Sequence, residues 1–343
     1  MSKVLVTGGC GYIGSHMIVD LLQNGFELIS VDNYSNSFEV TYDAIEKICG
    51  KKVSYFQLDL CDKAATIAFI KSHPEISSVI HFAAHKSVPE SVLDPLAYYE
   101  NNIQSVANIL AAVAQSNIRH FVFSSSCSVY GNPAQLPVTE ESATKPASPY
   151  AFTKQIGEQM IIDFVNNYKQ CQFHLLRYFN PAGNHPSALI GELPQKTYLN
   201  LVPVITRTAV GKLAPMKVFG DDYATRDGSC VRDYVHVMDI ANAHTKSLQY
   251  LMGGSEQNSY NVFNLGTGNG VTTLEIIASF EKVSGVKLPF SMAARRSGDV
   301  ESIYANNDKA KRILNWNAAF SLDEIMKTAW DWELKQAEIS KDS

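Results

Sequence analysis

The chain has 343 residues, 45% of them hydrophobic and 18% charged, with a net charge of −5. That length exceeds one ordinary hydrophobic core, so two domains are expected. The acidic balance gives no electrostatic footing for nucleic acid, and no apolar run reaches the length of a membrane span. Met1–Val6 leads straight into an apolar strand and glycines, unlike a signal peptide. The cysteines at 10, 49, 61, 127, 171 and 230 form no CxxC pair and no zinc spacing. Reduced thiols in a soluble, cytoplasmic protein are the expectation.

From the first residues, apolar bursts of strand length alternate with helical patterns. Lys3–Thr7, Phe26–Asp32, Val53–Asp59, Ser78–Ala84, His120–Ser126 and Phe173–Phe179 read as strands. They are near-continuous in apolar character, which predicts burial on both faces of a parallel sheet. Between them, Ile13, Met17 and Leu21 form a helical stripe closed by Gly25, and Asp62–Ser72 and Pro95–Ser116 read as further helices. This order predicts an α/β fold, a doubly wound (Rossmann) parallel sheet. After Asn180-Pro181 prolines and glycines become frequent, and 181–228 reads as loops around a helix near Asn200–Val210. Val237–Leu251 reads as helix and Asn261–Leu265 as strand. Leu322, Ile325, Met326, Ala329 and Trp330 mark a final amphipathic helix. The expected organisation is a nucleotide-binding domain over 1–180 and a smaller mixed α/β substrate-binding domain beyond it. The polar tail 336–343 is expected to fray.

Several stretches carry possible chemistry. Gly8, Gly11 and Gly14 follow the first strand and open the first helix, the context of a dinucleotide turn whose helix N-terminus faces a pyrophosphate. Asp32 ends the second strand, placed to hold ribose hydroxyls. A carboxylate there repels a 2′-phosphate and so favours NAD over NADP. Asp59 is open to two readings, an adenine contact or a turn residue, and Lys86 to a phosphate or ribose contact or a solvated cation. Ser124-Ser125-Ser126 end the fifth strand, where a hydroxyl reaches a substrate oxygen or simply makes a turn.

Tyr150 and Lys154 stand four apart, on one helix face if a helix starts at Pro149. A tyrosine base half-ionised near neutrality needs its pKa lowered by about 3 units, or roughly 4 kcal/mol. An exposed ion pair supplies only ~0–1 kcal/mol. The pair therefore needs a closed site and a second positive charge, and an oxidised nicotinamide ring is a candidate for that charge. In the second half, Arg177, Arg207, Arg226, Arg232, Arg295 and Arg296 are scattered among loops; each suits either a diphosphate or a structural ion pair. His81 with His85, and His236 with His244, lack the partner set of a metal site, so no metal is expected. Cys127 reads as a buried thiol.

Taken together, Gly8-x-x-Gly11-x-x-Gly14, Asp32-Asn33, Ser124–Ser126 with Val129-Tyr130-Gly131, Tyr150-x-x-x-Lys154 and Arg177-Tyr178-Phe179-Asn180 resemble the extended short-chain dehydrogenase/reductase family. The run from Val231-Arg232-Asp233-Tyr234 to Asp239, and Arg295-Arg296-Ser297-Gly298-Asp299, narrow the resemblance to its UDP-hexose 4-epimerase branch, over about residues 3–333. The resemblance implies a tightly held NAD, a UDP-hexose substrate and a homodimer. It implies that Tyr150 takes the proton of the C4 hydroxyl and that Lys154 binds the nicotinamide ribose and lowers the tyrosine pKa. Ser126 then hydrogen-bonds the same sugar oxygen. Hydride leaves C4 for NAD and returns to the other face after the 4-keto sugar has turned about its diphosphate link.

The implied NAD contacts begin at the tip of the glycine turn with Tyr12 and Ile13, and run through Asp32, Asn33, Asn36 and Ser37. They continue with Asp59, Leu60, Phe82, Ala83, Lys86 and Asn101, and close with Ser124, Tyr150, Lys154 and Tyr178. The implied UDP contacts are Asn180, Asn200, Leu201, Phe219, Arg232, Arg296 and Asp299. The segment 236–265 is implied to return to the nucleotide-binding domain, leaving 181–235 and 266–335 for the UDP-sugar.

Two positions depart from the branch. Ile303 stands where a bulky tyrosine excludes N-acetylated sugars and a small residue admits them, and isoleucine is intermediate. His85, in Phe82-Ala83-Ala84-His85-Lys86, stands where an apolar residue is common. A nucleotide-sugar 4,6-dehydratase needs an acid and a base directly after the active-site serine or threonine, and Cys127-Ser128 supply neither. A non-catalytic NAD sensor has no need of Tyr150, Lys154 and Ser126, all of which are present.

Overall fold

A computed structural model describes residues 2–193, 200–254, 258–296 and 299–339. The first half runs β1 (Lys3–Thr7), α1 (Tyr12–Gln23), β2 (Leu28–Asp32), α2 (Thr41–Cys49), β3 (Ser54–Gln57), α3 (Lys63–Ser72) and β4 (Ile76–His81). It continues with α4 (Val88–Leu93), α5 (Pro95–Val113), β5 (His120–Ser126), α6 (Pro149–Asn167) and β6 (Gln172–Tyr178). The second half holds β7 (Asn180–Ala182), α7 (Leu201–Ala209), β8 (Met216–Phe219), β9 (Val231–Arg232), β10 (Tyr234–His236), α8 (Val237–Met252) and β11 (Tyr260–Leu265). It ends with β12 (Val271–Thr272), α9 (Thr273–Ser284), β13 (Phe290–Ala293), β14 (Ser302–Ile303), α10 (Asp308–Leu314) and α11 (Leu322–Ile339).

Seven strands form one parallel sheet in the order β11-β6-β5-β4-β1-β2-β3. Alternation along each strand feeds two cores. Val4 and Val6 pack with Met17, Ile18, Ile240 and Leu248 on the α1/α8 face. Leu5, between them, packs with Ile70, Ile109, Ile161 and Val165 on the α3/α5/α6 face. The strand order reverses direction between β1 and β4, which opens a crevice at the carboxyl ends of the strands.

α10 also packs on the α1/α8 face of the sheet, and most of the other elements make a second, smaller assembly. β13 pairs with β8, and β9 lies between β12 and β14. Its core gathers Ile205, Ile276, Phe280, Met326 and Trp330 from α7, α9 and α11.

Four findings differ from the sequence reading. β3 is not buried on two faces: it is the sheet edge, and all four of its residues are exposed. It also ends at Gln57, so Asp59 lies in the turn beyond it. Helices α2, α4, α9 and α10 have no counterpart in the reading, although α9 carries a full capping box of Thr272 with Glu275. α11 extends through Gln336 to Ile339, into the tail expected to fray, where no helix was read; 340–343 lie outside the described residues.

Candidate active site

The crevice holds a cavity of about 360 Å3 above the ends of β1, β2, β4, β5 and β6. Its floor at β1 is the glycine turn. Gly8 sits at φ +70°, and a Cβ on Gly14 would stand 2.2 Å from the Gly8 carbonyl oxygen. α1 therefore approaches β1 closely only without a side chain at Gly14. The N-cap of α1, Gly11, makes no side-chain cap bond, and no acid lies in the first turn. That helix end is left for an anion. At the end of β2, the Asp32 carboxylate accepts from the Cys10 and Tyr34 amides (3.0 Å each) and the Ser37 hydroxyl (2.9 Å). The carboxylate is thus fixed at the mouth of the cavity. An uncapped helix N-terminus beside a fixed, buried carboxylate fits a dinucleotide with free ribose hydroxyls.

Across the cavity lies the N-terminal turn of α6. Ser148 caps it, accepting from the Ala151 amide at 3.2 Å, and Pro149 supplies the first helical residue. Tyr150 and Lys154 follow on one face. The Lys154 ammonium donates to the Ser124 carbonyl at 2.8 Å and stands 6.0 Å from the centre of the Tyr150 ring. Ser126 Oγ accepts from the Ser128 amide at 3.2 Å, and Tyr178 donates to Ser124 Oγ. Burial pushes the Tyr150 phenol up to about 12, against the pull of the Ser126 hydroxyl. Burial also pulls Lys154 down to about 8, with Glu158 one turn further on opposing. Burial at this site raises the cost of ionising Tyr150 from the protein alone. The need for a further positive charge is sharper than the sequence suggests.

Every residue expected to contact NAD lines this one cavity, from Gly8, Gly11 and Gly14 to Tyr178. Ile13, Leu60, Phe82 and Ala83 supply apolar wall. Asp59 Oδ1 caps the Cys61 amide at 2.8 Å while its other oxygen lies 3.5 Å from Asn33 Nδ2. Asn36 and Ser37 close the side beyond Asp32, and Asn101 Nδ2 donates to Asn102 Oδ1 at 2.9 Å. Lys86 lines the cavity, is 43% exposed, and pairs with Glu192 at 2.6 Å. Glu192 also accepts from Asn200 at 2.7 Å. The sequence reading has no role for Glu192, which lies in a loop without a motif.

The residues expected to contact UDP are less gathered. Ser126, Tyr150, Asn180 and Asn200 line the cavity, whereas Leu201, Phe219, Arg232, Arg296, Asp299 and Ile303 do not. Asn180 Oδ1 is buried without a hydrogen-bond partner among the described residues. Arg296 binds Asp299 through two bonds (2.9 and 3.2 Å) and stacks 4.7 Å above the Phe219 ring centre. Arg232 donates to the Val231 carbonyl at 2.8 Å. Leu201 opens α7. Ile303 is buried in a small apolar cluster with Val129, Tyr130, Val138, Phe179 and Ala305. Ser297 and Gly298 lie outside the described residues.

The other candidates fall away. Among the described residues no group of three His, Cys, Asp or Glu side chains could hold a metal. Burial pushes the Cys127 thiol up to about 12, so it offers neither a nucleophile nor an acid near neutrality. His85 contributes backbone: its amide and carbonyl are both held by Asn102.

A family model described as GDP-mannose 4,6 dehydratase matches residues 5–329. A UDP-glucose 4-epimerase of Arabidopsis thaliana is 45% identical over 96% of this chain and 94% of its own. That of Bacillus subtilis is 43% identical over 96% of both chains. A UDP-glucose 4-epimerase structure from Stenotrophomonas maltophila, with bound NAD and a formylated UDP-arabinopyranose, superposes with a TM-score of 0.95. It is 41% identical and covers 99% of this chain and 100% of its own. The chain belongs to the UDP-glucose 4-epimerase family. The dehydratase description and this membership separate at the strand tip. Cys127 and Ser128 follow Ser126 where dehydration needs a carboxylic acid and a base. Among epimerases of known structure, that of Bifidobacterium longum, in complex with NAD+ and UDP, matches with a TM-score of 0.92 at 40% identity, covering 98% of this chain and 99% of its own.

Proposed function

We propose that Tyr150, Lys154 and Ser126 are the acid–base machinery of this epimerase, which interconverts UDP-glucose and UDP-galactose at C4. The observation that carries the reading is the single cavity joining the glycine turn and Asp32 to these three side chains. Gly8–Gly14 and Asp32 hold the NAD pyrophosphate and ribose, and Lys154 and Tyr178 hold its nicotinamide end. When bound, NAD supplies the reversible acceptor for the C4 hydrogen and, oxidised, a cationic ring beside Tyr150. Lys154 stabilises the phenolate of Tyr150, which takes the C4 hydroxyl proton and later returns it. Ser126 donates to the same sugar oxygen. Asn180, whose Oδ1 has no partner among the described residues, and Asn200 hold the UDP side, with Arg232, Arg296 and Asp299 reached from the second assembly. A firm grip on UDP and a loose one on the hexose lets the 4-keto sugar present its other face.

Residues 1–180 with 236–265 form the NAD-binding unit in this reading, and 181–235 with 266–335 the UDP-sugar unit. A homodimer is proposed through α4, α5 and the start of α6, where Val92, Leu93, Leu96 and Phe152 are exposed. Among the described residues no helix is long and apolar enough to cross a membrane; a cytoplasmic location is proposed. The test is turnover of UDP-galactose by purified protein carrying its own NAD, with no reductant added. Interconversion supports the reading; NAD-bound protein that interconverts no UDP-hexose contradicts it.

A further inference from the structure

Behind the catalytic side chains lies a buried ion pair that the reaction itself does not use. Glu158 stands one turn beyond Lys154 on α6, so Tyr150, Lys154 and Glu158 follow at i, i+4 and i+8. Arg177 on β6 grips Glu158 through both carboxylate oxygens, at 2.8 Å from Nε and 2.6 Å from Nη2. Ser125 donates to the same carboxylate at 2.5 Å. In the parallel register of β5 and β6, Ser125 stands opposite Arg177. Arg177 also donates to the Tyr130 hydroxyl at 3.0 Å, and Tyr130 donates to Asn264 on β11 at 2.6 Å.

The side chains at a strand end alternate, so the three serines divide their work. Ser125 turns to Glu158, while Ser124 offers its carbonyl to Lys154 and its hydroxyl to Tyr178. Ser126 lines the cavity. A buried ion pair is weak evidence for stability, because desolvation of both charges offsets their attraction. What it does supply here is a fixed relation between α6 and the tip of β5.

We propose that Glu158 and Arg177 are positioning residues for the epimerisation: by holding Ser125 they set the tip of β5, so that the Ser124 carbonyl anchors Lys154 and Ser126 faces the C4 oxygen beside Tyr150. This rests on the function proposed above. The pair also sets the charge balance at Lys154. On its own helix Lys154 faces Tyr150 and Glu158. From β4 it faces His81, which burial holds neutral at about 3, and from β6 Tyr178 with Arg177 behind Glu158. Cys127 at the strand tip and Tyr98 on α5 act on Tyr150. Glu158 is the carboxylate acting on Lys154, and it favours the ammonium form. Its removal moves the loss of that charge, and the alkaline limb of activity, to lower pH.

The test measures kcat and KM for UDP-galactose against pH in NAD-loaded wild type, Glu158→Gln and Ser125→Ala. Glu158→Gln is expected to lower kcat about 10- to 100-fold, as a misplacement of about 1 Å does, with KM changed less than about twofold. Its alkaline limb is expected at lower pH than in wild type. Ser125→Ala removes one hydroxyl and leaves no charge unpaired, so it reads out even if Glu158→Gln does not fold. It is expected to lower kcat about tenfold with the same KM. An unchanged kcat in folded Ser125→Ala, or an unchanged kcat and alkaline limb in folded Glu158→Gln, overturns the proposal and leaves the pair a purely structural one. Absence of turnover in wild type overturns the proposed function instead.

Discussion

In the proposed reading, the NAD side of the cleft and its UDP side are built differently. On the NAD side the decisive groups are backbone and strand ends: an uncapped helix start, a glycine turn, and side chains at the tips of β2, β4, β5 and β6. On the UDP side they are side chains on loops and short strands. There Arg296 is engaged by Asp299 and Phe219, and Arg232 by its neighbour's carbonyl. The first half is therefore formed by the sheet itself, while in the second the two arginines are already engaged by neighbours and Asn180 Oδ1 is not. A site of the first kind suits a cofactor kept through every turnover. A site of the second kind suits a substrate that comes and goes.

That contrast can be broken at several points. Tyr150→Phe removes only the hydroxyl of the proposed base, and kcat should fall about 10³-fold while UDP still binds. Retained activity, measured with UDP-galactose, would remove Tyr150 from its role. Gly14→Ala strikes the preformed half. Its Cβ meets the Gly8 oxygen at 2.2 Å, so the turn must shift. A loss of roughly 1–3 kcal/mol in stability is expected, with NAD lost on purification. Thermal melting and the nucleotide content of the protein report both.

Arg296→Ala strikes the other half. UDP should bind about tenfold more weakly, the worth of one charge-assisted bond, with NAD content unchanged; calorimetry with UDP separates the two. A loss of NAD in this variant would erase the distinction between the halves. The smallest effect is expected at Ile303, which packs among Val129 and Phe179 rather than lining the described cavity. Ile303→Tyr should change the rate ratio of UDP-galactose to UDP-N-acetylgalactosamine by a few-fold, and an unchanged ratio refutes the gate.

The same contrast explains what the sequence revealed. The alternation of strands and helices in the first half follows from apolar runs and helix stripes, because both periodicities report burial directly. β3 breaks the pattern: Ser54–Gln57 carries aromatic residues suited to a strand, yet the strand sits at an uncovered edge. The gathering of Gly8–Gly14, Asp32, Ser126, Tyr150 and Lys154 was legible because strand ends converge in an open parallel sheet whatever the loops do. Glu192 was not legible, since its partners Lys86 and Asn200 lie in remote segments joined only by folding. Glu158 had a visible signal in its spacing from Lys154. Only the fold shows that Arg177 and Ser125 meet there.

The central claim is that the cofactor's charge and Lys154 together ionise a tyrosine that burial, against the pull of the Ser126 hydroxyl, pushes up to about 12. The most direct measurement is an ultraviolet titration of tyrosinate in NAD-loaded wild type and Tyr150→Phe. The account predicts one phenol ionising well below the ordinary value of about 10 in the wild type and missing from the variant. A difference spectrum with no tyrosinate below that pH would contradict it.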